Sequence, residues 1–404
     1  MAVAGLRGTG DWGTDERPKN FREFILWRDP NGSSPLQALM AKTRTESTDD
    51  PEYSWWEEEL NPIRLLTTTA HTTTEAVIDI DSGDAEDLVA GDVLMVETAE
   101  DVTYTNELVL VASIASTTQF TVTRAGVGTT GATIPDNTFL TKIGNAYEEG
   151  STSPTASSRN PSKKSNFTQI FKTAYRLTET AKATRARTGP ALDKDKKRKA
   201  FDHAVALEFA YLFGKRNEGT GAGGKPIRHT GGLLFHLALE QPTTAHVIKI
   251  YTTTTTENTF LDDVYKTWDY RSTGRGGMER IALAGNGALN ALNKVAKAGT
   301  GTRINHAETI KLYGMELQRW VFPQGSLLIK THPLMNVHGR FANSMFVLNP
   351  GGVVDRPLRK TRPEDHIEAN DADEHKGQWL TESGPEYNHM KTFIYFGAMN
   401  TMAV

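Results

Sequence analysis

The stretch PALDKDKKRKAFDHAVALEFAYLFG, residues 190–214, sets the architecture. Pro190 stands where a helix tolerates proline, at the first turn. Asp193 to Lys199 is wholly charged, and Phe201, Val205, Leu207, Phe209 and Leu212 then recur near helical spacing. Gly214 follows the last apolar position, the usual place for a left-handed cap. About 25 residues at roughly 1.5 Å each make a rod of about 37 Å, long enough to be the spine of a flat subunit. The basic run Lys194 to Lys199 is broken by Asp195 and reads as a solvated helix face, with contact to a neighbour's acidic arm as the functional alternative.

Upstream of this rod, residues 151–164 (STSPTASSRNPSKK) read as a loop ending in Lys163 and Lys164. Phe167, Phe171, Tyr175 and Leu177 then occupy odd positions, the pattern of a long strand with one apolar face. Residues 151–178 are therefore expected to form an extended loop and strand that reach from the body. Residues 63–150 are rich in threonine and valine. Short runs at 77–80, 93–96, 107–112, 120–123 and 139–143, separated by glycines, predict a small β-barrel or sandwich inserted as a module.

Residues 1–62 are polar, are broken by glycine and proline, and read as an N-terminal arm. One short helix is expected from Pro35 through Leu36, Leu39 and Met40. Removal of residues 1 to 50 is expected to leave a folded subunit that cannot form stable assemblies. Trp55 and Trp56 are adjacent, so they face opposite sides of any regular element. Packing on the chain's own core and anchoring a neighbouring subunit both remain open for them.

Residues 179–404 are expected to form the core region. After the rod, residues 216–232 are glycine-rich and read as flexible. A helix follows near Thr259 with Phe260, Val264 and Trp268 on one face, then a strand at Arg280–Ala284 and a helix with Leu289, Leu292 and Val295. Strands are expected at 310–313, 315–321, 326–330, 345–348, 378–381 and 391–396, and the polar stretch 359–376 reads as a loop.

The 404 residues carry a net charge of −4, include no cysteine, and contain no apolar run of membrane-spanning length. Disulfides and Cys-ligated zinc are thereby excluded, and no global basic excess marks a dedicated nucleic-acid binder. Gly219 to Lys225 approaches a phosphate-binding loop, but Pro226 stands where a magnesium-holding hydroxyl is needed. Gly285-x-Gly287 lacks the third glycine of a dinucleotide turn, having Asn290 there. His366, His375 and His389 lie among Asp365, Asp371, Asp373 and Glu374, which read as a solvated acidic loop in preference to a metal site. No catalytic, cofactor or metal residue is assigned.

Several ordered stretches carry a resemblance: Val89–Val96, Phe120–Thr130, Ile143–Ser151, Asn166–Ala181 and Lys391–Ala398. Together they are similar to the major capsid proteins of tailed phages with the HK97 fold, in the branch of the phage SU10 coat protein. The resemblance implies an α+β subunit with peripheral and axial lobes, a spine helix, an extended loop and an N-terminal arm. It implies hexamers and pentamers tiling an icosahedral shell around double-stranded DNA, assembled in the host cytoplasm and carried in the virion. Trp55, Trp56, Lys163, Lys164 and Phe167 are the candidate inter-subunit contacts. Because only residues 1–62 precede the β-module, scaffolding, if used, is expected from a separate protein; portal and decoration proteins are further expected partners. The alternatives are an encapsulin-like compartment shell, a β-rich tail or surface-binding protein, and an unrecognised enzyme.

Overall fold

A computed structural model describes residues 35–40, 44–58, 63–81, 84–98, 105–156, 158, 160–185, 189–241, 246–270, 279–298, 306–312 and 315–402. The chain forms two compact units, Trp55–Lys164 and the remainder, Met1–Ser54 with Ser165–Val404.

In the first of these, six strands follow the order Arg64–Leu66, Phe139–Asn145, Asp92–Glu97, Leu108–Ile114, Gln119–Thr123 and Val77–Asp79. The two outer strands also meet each other. Asp81 N–H donates to Leu66 O at 2.9 Å, Thr68 N–H to Asp79 O at 3.2 Å, and Thr67 bridges Ile80. The sheet therefore closes into a small barrel, which leaves no strand edge open to foreign pairing. Alternate residues fill it: Leu65, Ile78, Leu94, Val96, Val109, Val111, Phe120, Val122 and Leu140 are all buried.

Three of the sequence stretches that carry the family resemblance have a physical role here. In Phe120–Thr130, the turn is clamped onto the buried carboxylate of Glu107. Arg124 donates to its two oxygens at 2.8 and 2.6 Å, and the amides of Ala125 and Ala132 each donate at 3.0 Å. Gly91 has φ +98°, and any side chain there would strike the Tyr147 ring, which ties Val89–Val96 to Ile143–Ser151.

The larger unit is layered around a seven-stranded sheet. Its order is Ile248–Ile250, Ile394–Gly397, Met345–Leu348, Glu279–Ala284, Gly325–Thr331, Met315–Phe322 and His306–Leu312. Successive residues point to opposite faces, and each face has its own core. Ile281, Leu283, Leu328, Phe346 and Leu348 pack on one side with Leu207, Tyr211 and Leu212 of the spine helix Ala191–Phe213. Ala282, Ala284, Ile329, Met345 and Val347 pack on the other, with Phe260 and Val264 of helix Glu257–Val264 and Ala288, Leu292 and Val295 of helix Asn286–Ala298. Burial of both faces explains the nearly unbroken apolar runs of these strands.

A four-stranded sheet, ordered Arg44–Thr45, Val353–Glu364, Glu374–Tyr387 and Gln169–Thr178, also carries the spine helix. The Gln169–Thr178 strand pairs along its whole length with Glu374–Ser383. The stretch 359–376 is not a loop throughout, because Val353–Glu364 and Glu374–Tyr387 form a long hairpin. Its charges hid it: Arg359 pairs with Glu382 at 2.6 Å and Gln378 donates to Glu364 at 2.7 Å, so polar residues serve as strand partners. Residues 216–232 likewise hold a hairpin, Asn217–Thr220 with Pro226–His229, in place of a flexible tract. Residues 35–40 are helical as expected, but Leu36 and Leu39 are fully buried in the core. A cut after residue 50 would remove Leu36 and Leu39 from that core, against the expectation that such a deletion leaves the fold intact. Residues 1–34, most of the expected arm, lie outside the described residues.

Burial alone pushes the Glu107 carboxyl up, but the Arg124 guanidinium and the two amides outweigh it and hold the group below the usual range. Its charged form is thus favoured in the folded chain. The stability it contributes is present above the unfolded pKa and is lost as pH falls through the depressed folded value. Glu107→Gln is expected to flatten the acid limb of a pH–stability profile of the barrel below about pH 4.5, measured by urea unfolding across pH. Phe120→Ala should cost about 3–5 kcal/mol in the same assay at neutral pH.

Candidate functional site

The strands Glu52–Glu57 and Ser162–Phe167 pair into a two-stranded ribbon. Alternation along Glu52–Glu57 buries Tyr53, Trp55 and Glu57 and turns Trp56 outward, 65% exposed. Trp55 Nε1–H donates to Glu57 Oε1 at 2.8 Å, so its indole is satisfied internally. Phe167 is also buried, with the Arg216 guanidinium 4.4 Å above its ring, while Lys163 and Lys164 are exposed. The five candidate contact residues lie on the two strands of the ribbon, Trp55 and Trp56 on one and Lys163, Lys164 and Phe167 on the other, and Trp56, Lys163 and Lys164 are the exposed ones. An indole held outward on a strand offers a large apolar surface at low entropic cost.

The main polar assembly of the larger unit was not visible in the sequence. Glu208 on the spine helix is completely buried. Its Oε1 accepts from Leu36 N–H at 2.7 Å and its Oε2 from Gln37 N–H at 3.0 Å. These are orphan amides of the helix Pro35–Met40, whose positive end the carboxylate also meets. His332, equally buried, lies 2.9 Å from Oε1 through Nε2. Met335 N–H donates to His332 Nδ1 at 3.3 Å, so the ring proton sits on Nε2 and points at Glu208. The sequence showed an apolar stripe here; the residues actually buried are His203, Leu207, Glu208, Tyr211 and Leu212. The one available signal was a lone acidic residue between Leu207 and Phe209 in the apolar half of the helix.

The catalytic leads dissolve into turns. Gly221 to Gly224 is the tip of the 217–229 hairpin, and no helix begins at Pro226 to receive a phosphate. Gly285 and Gly287 are packing positions, since any side chain there would strike Ala342 and Asn343. Of the three histidines in the C-terminal acidic region, His366 and His375 come together with Glu368, and His389 does not join them. No helix among the described residues is long and apolar enough to cross a membrane.

The chain thus combines a layered α/β unit built on a long spine helix with a second unit that is a closed β-barrel. The sequence profile of the SU10 major capsid protein family matches residues 6–397, and the chain belongs to that family. Its mixed architecture, with a long spine helix and an inserted β-module, agrees with the α+β class expected from the sequence. The major capsid protein of Pseudomonas phage PaMx41 is 28% identical over 346 residues, 85% of this chain and 78% of that protein. Among solved structures, a chain of Mycobacterium phage Bobi is similar at TM-score 0.47 and 10% identity, covering 94% of this chain and 95% of that one. A chain of Mycobacterium phage Ogopogo is similar at TM-score 0.45 and 10% identity, covering 96% and 97%. At such values the superpositions are loose, and the assignment rests on the sequence match.

Glu208→Ala would leave two amides and an imidazole without their acceptor in a dry site. A loss of about 3 kcal/mol is expected in chemical denaturation. Hydrogen exchange should show the Leu36 and Gln37 amides opening before the rest of the core.

Proposed function

We propose that this major capsid protein assembles as hexamers and pentamers into an icosahedral shell enclosing double-stranded DNA, and that its role is structural, without catalysis. The observation that carries this reading is the family match across 6–397. The division of labour proposed is an arm at 1–62, a β-module at 63–150, an extended loop and strand at 151–178 and a shell core at 179–404. Contact with neighbouring copies falls to Trp56, Lys163 and Lys164, with Trp55 and Phe167 holding the ribbon in shape. The net charge of −4 suits a lining that lies near packaged DNA without gripping its phosphates. Partners beyond the chain itself are a separate scaffolding protein, a portal and a decoration protein, met in the host cytoplasm before the virion is complete.

Negative-stain microscopy of the purified chain, expressed with and without a candidate scaffolding protein, tests this. Closed shells or rings of five and six are the expected result. A persistent monomer under both conditions would contradict it. Trp56→Ala should lower shell yield at least tenfold, as loss of a hot-spot aromatic worth about 2 kcal/mol implies, while leaving the melting of the unassembled subunit within about 2 °C because the side chain makes no core contact.

A further inference from the structure

At the tip of the long hairpin, between Glu364 and Glu374, the chain brings two imidazoles and one carboxylate together. We propose that His366, Glu368 and His375 bind a divalent first-row transition cation of the Zn²⁺ type, which pins the hairpin tip.

One donor atom from each of the three residues lies within 4.8 Å of the others. Tetrahedral zinc with bonds of about 2.0–2.1 Å places its ligands about 3.4 Å apart. His366 Nδ1 and Glu368 Oε1 already stand at 3.2 Å. The adjustment that brings the pair to the buried His375 falls on the flexible partner, the His366 side chain, which is 73% exposed. The backbone at His366 has φ +59°, a left-handed conformation uncommon for a residue with a side chain, and its imidazole turns back onto Glu368.

The surroundings orient the other two ligands. Lys376 N–H donates to Glu368 Oε2 at 3.1 Å, which leaves Oε1 aimed at His366. His375 is buried, stacked on Tyr175 at a centroid distance of 6.4 Å and met edge-on by His366 at 4.8 Å. Fixing of ligands by neighbours of this sort is characteristic of metal sites. Three adjacent acidic groups are otherwise engaged. Asp365 is held by Tyr175 and by Lys196 at 2.7 Å, Glu374 by Arg176, and Glu364 by Arg362 at 2.9 Å and Gln378 at 2.7 Å. The cluster itself, two nitrogens and one oxygen, favours zinc, cobalt or nickel over calcium and magnesium, which prefer all-oxygen cages. Because His366 and Glu368 lie in the loop and His375 on the returning strand, one ion would tie the two arms of the hairpin together.

The test is a titration of the purified full chain with Co²⁺, followed by its visible d–d absorption, with Zn²⁺ and Mg²⁺ as competitors. One saturable site per chain is expected, displaced by Zn²⁺ and not by Mg²⁺. His366→Ala, at an exposed position that the fold does not need, should weaken binding at least tenfold, as should Glu368→Gln. Hydrogen exchange of residues 365–375 should slow when Zn²⁺ is added and should not change in His366→Ala. Absence of a saturable Co²⁺ spectrum, or one left unchanged by His366→Ala, would overturn the proposal.

Discussion

A carboxylate sealed from water is tolerated only where its surroundings supply donors, and Glu208 meets that demand by gathering three separate pieces of chain. It sits on the spine helix, receives two amides from the Pro35–Met40 helix and faces the Nε2 proton of His332 just after the strand Gly325–Thr331. None of these groups has water as a substitute, so the three pieces are bound to one relative position. Leu36 and Leu39 then pack where Glu208 has placed them, against the same core that buries Leu207, Tyr211 and Leu212. The stretch that follows adds Arg44–Thr45 to the edge of the four-stranded sheet, beside Val354 and Asp355. Position of the N-terminal segment is therefore set by one buried charge and extended by ordinary strand pairing.

The same economy of polar groups runs through the rest. In the barrel, Glu107 does for the 120–130 turn what Glu208 does for the N-terminal helix, with Arg124 and two amides as donors. Arg280, 2% exposed, is satisfied by the carbonyls of Thr267 and Tyr270, and burial lowers its pKa to about 10. Strand edges are managed as well, since the barrel closes on itself. A subunit of a shell has to remain soluble before it assembles, which favours satisfied polar groups and closed edges, with adhesive surface confined to a few positions. Trp56 is such a position.

Much of this was legible from the residues. The spine helix was expected from Pro190 to Gly214 and spans Ala191–Phe213; the barrel strands fell where period-two runs had been read. Those signals survive because each depends on local spacing alone. Of the long hairpin at 353–387 only 378–381 was read as strand; the rest was not legible, since its strands satisfy themselves by cross-strand ion pairs and carry little apolar alternation. Nor was the Glu208 cluster, whose partners stand 172 and 124 positions away from Glu208 at Leu36 and His332. No window of sequence contains both Glu208 and its donors. The opposition of Trp55 and Trp56 could be read from adjacency; which of the two would be buried required the fold.

Reconstruction of the assembled particle by electron cryo-microscopy, at a resolution that shows side chains, tests the central claim most directly: a shell subunit whose N-terminal helix is fixed on its own Glu208 and whose ribbon presents Trp56 to a neighbour. The expected map shows closed five- and six-fold rings, the 35–40 helix seated on Glu208 of the same chain in every copy, and Trp56 covered by an adjacent subunit. A map in which that helix docks on a different copy, or in which Trp56 faces solvent in every subunit, would contradict it.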